Sequence, residues 1–250
     1  MSTVPATMSS RAWRTAIARG AVYAFLAGSL AYPSDVHRQA LADEILPVLR
    51  GVRPSDDTLA RALAAALDAY AASCDEPRGA YLALFPAVGQ GELAVYETVY
   101  RTRDLFQEAE ILADIAGFYR AHGLVVGALE RERPDHIAVE LEFMAFLARK
   151  RAHALAELGR AQVATCRATE VAFLRDHLGA WAPLLGTELA RVAPHPFYRA
   201  TGALLACWLV SDMSAQGVEA PAPLAPPRAP APSELVRPGE DACPIEQVVG

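Results

Sequence analysis

The sequence lacks most of the local signatures that mark enzymes and nucleic-acid binders. It has no Cys-x-x-Cys pair, no glycine-rich phosphate loop, no serine elbow and no cluster of basic residues. The four cysteines, Cys74, Cys166, Cys207 and Cys243, stand too far apart in sequence to suggest a disulfide framework or a thiolate metal knuckle, and read as reduced thiols. Arginines scattered singly in a chain of net charge −6 exclude the footprint of a nucleic-acid binder. No apolar run is long enough to span a bilayer, so no stable membrane association is expected.

Apolar material is abundant: 53% of the 250 residues are hydrophobic, ample for a core. These residues recur three and four positions apart nearly throughout, and no alternating strand run or Asn-Gly hairpin interrupts them. The expected fold is therefore all-α. About ten helices are predicted, over residues 11–31, 35–50, 57–73, 77–86, 91–101, 106–122, 135–158, 160–178, 181–191 and 196–214. Asp35 and Asp57 are candidate caps, Gly123 and Gly179 candidate stops, and Pro196 suits a first helical turn. The first helix has a second reading. Arg11, Arg14 and Arg19 precede an apolar stretch ending in Ser-Leu-Ala, as in a signal peptide. Its apolar face of Ala16, Ile17, Ala24 and Leu30 favours a core helix.

The stretch "GLVVGALERERPD", Gly123 to Asp135, separates an N-terminal from a C-terminal group of helices. It predicts a single helical-bundle domain over residues 1–214, in two lobes joined by a hinge loop at about 123–135. Residues 215–250 are rich in proline and alanine and poor in large apolar side chains. Such a segment cannot bury enough surface to offset its ordering entropy, and a disordered tail is expected.

The polar residues worth attention lie in "ERERPDHIAVELEFMAFLARKRAH", Glu130 to His153. At about 100° per residue, Ile137, Leu141, Met144 and Ala148 form one apolar stripe, and Glu142 lies with Arg149 on the far, solvated side. Glu140 falls on the core side. A carboxylate there costs several kcal/mol unless paired, and His136, four residues earlier, is the nearest candidate partner. Asp135 at the helix start can accept backbone N–H bonds. His122, ahead of Gly123, sits where a helix C-terminus favours the protonated ring. This cluster reads either as a cap with a satisfied buried glutamate or as part of a binding surface. His136 and Glu140 could offer two metal ligands on one face, but a zinc site needs a third and fourth. No metal, nucleotide or other cofactor and no catalytic residue is predicted.

Four stretches taken together, "YETVYRTRDLFQEAEILADIAGFYRAHGL", "RPDHIAVELEFMAFLARK", "FLRDHLGAWAPLL" and "HPFYRATGALLACWL", resemble the TorD/DmsD/NarJ family of redox-enzyme maturation chaperones, in order and spacing, from about residue 11 to 213. The resemblance implies an all-helical cytoplasmic chaperone, not an enzyme, and a monomer. Its partners would be the apo catalytic subunit of a molybdenum-containing oxidoreductase and the subunit's twin-arginine leader, held for cofactor insertion before export. By resemblance, Asp135 and His136 match the Asp-His pair implicated in leader binding. The usual Glu-Pro-x-Asp-His order departs here to Glu132-Arg133-Pro134-Asp135-His136. A twin-arginine leader presents two guanidiniums and then an apolar stretch, which calls for carboxylates beside an apolar groove. Asp135, His136, Glu140 and Glu97, with Pro134 at the turn and Tyr96, Tyr100, Phe106 and Tyr119 as walls, are the candidate peptide site. Within the family, "ADIAGFYRAHG" and "RPDHIAVELEFMAFLA" most resemble the branch whose clients are of the chlorate, selenate, dimethyl sulfide or ethylbenzene type, and are less like the nitrate reductase branch. Two other readings remain open: an all-α regulatory or scaffold module, and a helical metal-dependent hydrolase using His136 and Glu140.

Overall fold

The computed structural model describes residues 11–73, 77–85, 93–102, 105–125, 132–219, 222 and 224. Its helices are α1 (Arg11–Leu30), α2 (Asp35–Ala40), α3 (Leu46–Leu49), α4 (Asp57–Ala72), α5 (Pro77–Leu84), α6 (Glu97–Arg101) and α7 (Leu105–Ala121). After these come α8 (Ile137–His153), α9 (Arg160–Phe173), α10 (Gly179–Val192) and α11 (Pro196–Gln216). Single π-helical turns join α2 to α3 at Leu41–Ile45, extend α8 through Ala154–Leu158 and join α9 to α10 through Leu174–Leu178. The all-α expectation holds. Among the described residues the extended pairing is one isolated antiparallel bridge, Tyr96 with His136.

Local chemistry moves several expected boundaries. Ser34 and Asp56 are the caps, accepting from the backbone N–H groups of His37 and Leu59, so Asp35 and Asp57 are first-turn residues instead. The helix expected from residue 91 begins only at Glu97, because Val95 and Tyr96 are paired with the turn ahead of α8. Gly179 does not stop a helix: the chain runs through it from the π turn into α10. Its role is spatial, since a Cβ there would lie 2.3 Å from the Leu174 carbonyl oxygen and 2.8 Å from Met213 Sδ. Gly123, at φ 72°, does end α7 as expected.

Helix α8 is the central rod, with α1 along one side and α9 on another, while α10 pairs with α11 and α4 lies across α11. The α10–α11 contact is backbone to backbone. A Cβ on Gly202 would stand 2.6 Å from Ala190 N and 2.7 Å from Gly186 O, closer than side-chain carbons approach. One apolar core unites Leu26 of α1, Leu63 of α4, Ile115 of α7, Met144 of α8, Trp181 of α10 and Leu205 of α11. Helices on both sides of the 123–135 loop thus share that core. The middle of the loop, residues 126–131, lies outside the described residues, as does most of the expected tail. The first residues after 214 do not leave the fold. Helix α11 runs to Gln216, Gly217 caps it at φ 75°, and Val218 is buried with its N–H bonded to Met213 O at 2.9 Å. Cys166 and Cys207 are free thiols, while Cys74 and Cys243 fall outside the described residues. Among the described residues no helix is long and apolar enough to cross a membrane.

The core also contains an ion network that joins α1, α8, α9 and α11. Arg19 forks onto Asp212 at 2.7 and 2.8 Å and reaches Glu170 at 2.7 Å. Arg151 adds a second cation to Glu170 at 2.9 Å, and Tyr23 donates to Asp212 at 2.6 Å. Burial works against the Arg19 charge, but the bond to Asp212 and the charges of Asp212 and Glu170 outweigh it and hold the guanidinium ionised. Asp212 takes its ion pair from this side chain, whereas Glu170 also has Arg151. Arg19→Met should therefore lower stability by about 3–5 kcal/mol, the cost of leaving buried charge uncompensated, whereas a methionine on the same helix's exposed face should be nearly neutral. Urea unfolding of the two variants decides this.

Candidate functional site

The turn ahead of α8 is fixed by two backbone bonds to the strand-like residues ahead of α6: Glu97 N–H to Asp135 O at 3.0 Å and Ile137 N–H to Val95 O at 2.8 Å. They bring together seven of the nine residues expected to form the peptide site. Phe106 stands apart, 84% exposed near the start of α7, and Tyr100 faces the core. Tyr100 donates to Ala94 O at 2.9 Å and packs on Trp181 at 5.0 Å. Burial pushes its hydroxyl well above the ordinary tyrosine range.

Asp135 is fully buried and does not cap its own helix. Its Oδ2 accepts from Thr98 Oγ1 at 2.7 Å and Thr98 N at 3.3 Å, so it caps the start of α6. Arg133 binds both of its oxygens, at 2.9 and 3.0 Å. The cap of α8 is His136, whose Nδ1 accepts from Ala138 N at 3.1 Å. That bond fixes the tautomer with the proton on Nε2. Burial holds the ring neutral, pulling its pKa down to about 4 despite the Asp135 charge beside it. Pro134 contributes its carbonyl, which accepts from Tyr119 at 2.8 Å.

Glu140 is buried on the core side and Glu142 is exposed, as the helical rotation requires. The expected partner of Glu140 is wrong. His136 meets it only through the backbone, Glu140 N–H to His136 O at 3.1 Å. Glu140 Oε2 instead accepts from Trp181 Nε1 at 3.2 Å. Burial first, then the charge of Glu97 and a hydrogen bond to the Glu97 carboxyl, raise the Glu140 pKa well above the ordinary range. Among the described residues no N–H or O–H donor reaches Glu140 Oε1, so a charge on that oxygen would be buried without a partner. Glu97 takes its other contacts from Arg101 and from His177 Nδ1, the latter at 3.3 Å. Arg101 is four residues from Glu97 on the same helix, but Trp181, His177 and the Glu97–Glu140 pairing join elements far apart along the chain, and no local spacing reveals them. His122 is also corrected. It accepts from Lys150 Nζ at 2.8 Å, and burial with the Lys150 charge lowers its pKa instead of raising it.

Outside this cluster, His136 forms one wall of a groove of about 370 Å³ between α1, the α2–α3 arm and the start of α8. Its floor is small and apolar, from Ala24, Ala27 and Gly28 of α1 and Ala31 just after it, with Leu41 and Val139 facing them. The floor is tight at Gly28, where a Cβ would come within 3.0 Å of Leu41 Cδ1. Glu44, Glu132 and Glu142 line the groove as carboxylates, against one cation, Arg149. Sequence reasoning set Glu142 aside as merely solvated and did not single out Glu44 or Glu132. Acidic residues on an exposed face carry no local signal until the groove between helices is known. Among the described residues no group of three or more His, Cys, Asp or Glu side chains is arranged to hold a metal ion.

Comparison with known proteins places the chain. A family model described as "Nitrate reductase delta subunit" matches residues 52–186. The chain is similar to a perchlorate reductase assembly chaperone protein of Dechloromonas aromatica (strain RCB), 34% identical over 105 residues, which cover 42% of this chain and 45% of that protein. It is also similar to a selenate reductase assembly chaperone protein of Thauera selenatis, 36% identical over 104 residues, 41% of this chain and 52% of that protein. The aligned segment thus spans about half the length of each of these relatives.

The protonation of Glu140 has a measurable signature. Glu140→Gln keeps an acceptor for Trp181 and a donor for Glu97 and should be nearly neutral at acidic pH, whereas Glu140→Ala strands the indole N–H over a void at a cost of about 2–4 kcal/mol. A group with a raised folded pKa contributes its stability fully below the unfolded value of 4.5 and loses it as pH climbs towards the folded value. The wild type should therefore fall behind the Gln variant by up to about 1.4 kcal/mol per pH unit above that point. Glu142→Ala should stay within about 0.5 kcal/mol at every pH. Urea melts from pH 5 to pH 8 measure all three, and parallel curves for wild type and Glu140→Gln would contradict the assignment.

Proposed function

Since the chain belongs to the nitrate reductase delta subunit family, we propose that it is a non-catalytic assembly chaperone for a reductase of the molybdenum-containing class. Its client is the apo catalytic subunit, which it holds through the twin-arginine leader in the cytoplasm until the cofactor is inserted and the subunit exported. The relatives named as perchlorate and selenate reductase assembly chaperones support an oxyanion reductase as the client. The chain acts as a monomer and needs no cofactor of its own.

The observation that carries this reading is the acid-lined groove beside the Pro134–His136 turn. A leader of two arginines followed by small and apolar residues is complementary to it: guanidiniums meet Glu132, Glu142 and Glu44, and the apolar residues lie on the alanine floor of α1. The part given to Glu140 changes accordingly. It is buried, so it braces the turn that presents His136 and Glu132, and the groove residues make the contact there.

Titration of the protein with a synthetic twin-arginine leader should give saturable binding that weakens as salt rises. The double variant Glu132→Gln/Glu142→Gln should lose about threefold to tenfold in affinity, as two exposed pairs worth about 0–1 kcal/mol each allow, with an unchanged melting temperature. Equal affinity for a leader whose arginine pair is replaced by glutamine would defeat the leader reading. It would leave the all-α scaffold alternative in its place.

A further inference from the structure

Over the Tyr96 ring, Arg133 is seated in a site of its own. Its Nε and Nη2 fork onto the two oxygens of Asp135 at 2.9 and 3.0 Å, and Nη2 also reaches Glu108 Oε1 and Thr98 Oγ1, each at 2.9 Å. Its Cζ lies 5.1 Å from the Tyr96 ring centroid, within reach of a cation–π contact. A planar fork on a carboxylate, a second carboxylate and an aromatic face together select guanidinium over ammonium.

The pocket does not owe its shape to Arg133. Asp135 is positioned by its backbone bond to Glu97 and by both donors of Thr98. Tyr96 is positioned by the bridge to His136 and by edge contact with that ring at 5.3 Å. Asp135 is fully buried, yet the Arg133 side chain is 42% exposed, so the occupant can leave while the site remains. Leu105, three residues before Glu108, is 80% exposed and offers an apolar continuation next to the second carboxylate.

We propose that Asp135, Glu108, Thr98 and Tyr96 form a receptor for an arginine side chain of the client leader, and that Arg133 occupies it until the client's arginine takes its place. The proposal rests on the leader reading above and adds to it a self-occupied subsite beside the groove. Arg133 is then a competitor: it keeps the Asp135 charge compensated in the empty chaperone and sets the threshold a client must exceed. Binding of a client would move the Arg133 side chain into solvent without disturbing the bridge that holds the turn.

The test uses the full chain with Arg133→Ala, and Arg133→Gln in case the first variant folds poorly. Methylguanidinium at millimolar concentration should raise the melting temperature of the vacated variant saturably. Methylammonium at the same concentration should not, and neither should move the wild type. A response no larger than that to methylammonium, or an equal response in the wild type, overturns the site. A leader with an arginine pair should bind the vacated variant about tenfold tighter than the wild type if Arg133 fills the site about nine-tenths of the time; weaker or equal binding overturns the competition. Methylguanidinium rescue without leader binding to either protein would overturn the leader reading and leave the guanidinium site standing.

Discussion

Two backbone hydrogen bonds, Glu97 N–H to Asp135 O and Ile137 N–H to Val95 O, tie the approach to α6 to the entry of α8, and the polar chemistry of the molecule is arranged around that tie. They aim the Asp135 carboxylate at the first turn of α6, leave His136 to cap α8, and bring Glu97 against Glu140. A bridge of one residue pair is weak by itself. Here it is enclosed by the Tyr119–Pro134 bond and the Tyr96–His136 ring contact, so its bonds are shielded from competing water, where each is harder to replace. The orientation of everything presented near the groove follows from it.

The fold meets the cost of burying charge in two different ways. In the Arg19 network each carboxylate has a cation, and the group links four helices that are distant in sequence. Among the described residues no cation is paired with Glu140; burial and the neighbouring Glu97 favour its neutral form, and it accepts from Trp181. The first arrangement ties helices by charge. The second places a neutral acid where an ordinary carboxylate would be untenable, and leaves Glu97 to pair with Arg101 and His177.

Much of the fold was legible because amphipathic periodicity is a local property: all ten predicted helices have counterparts, and the opposite fates of Glu140 and Glu142 follow from rotation alone. What failed is what depends on the third dimension. Asp135 sits where a cap should, but the bridge turns its side chain to another helix. Arg19 lies 193 residues from Asp212 and 151 from Glu170, so no spacing rule could pair them, although an arginine, a glutamate and an aspartate on the apolar faces of α1, α9 and α11 are each an anomaly that asks for a partner. The groove was invisible for the same reason, since Glu44 is nearly ninety residues from Glu132 and each of its acidic residues looks like ordinary solvated surface.

The backbone contact between Gly186 and Gly202 bears on how the molecule can deform. Helices that touch through their main chains have no side chains between them to re-pack, so α10 and α11 form a stiff spine. The groove is walled differently. The α2–α3 arm is attached to the core chiefly by Leu41 and Leu49, while the six residues of α2 are all unburied. Compliance is therefore concentrated in that arm, so the groove can widen by a small outward swing about Leu49 while the spine and the ion network keep their geometry.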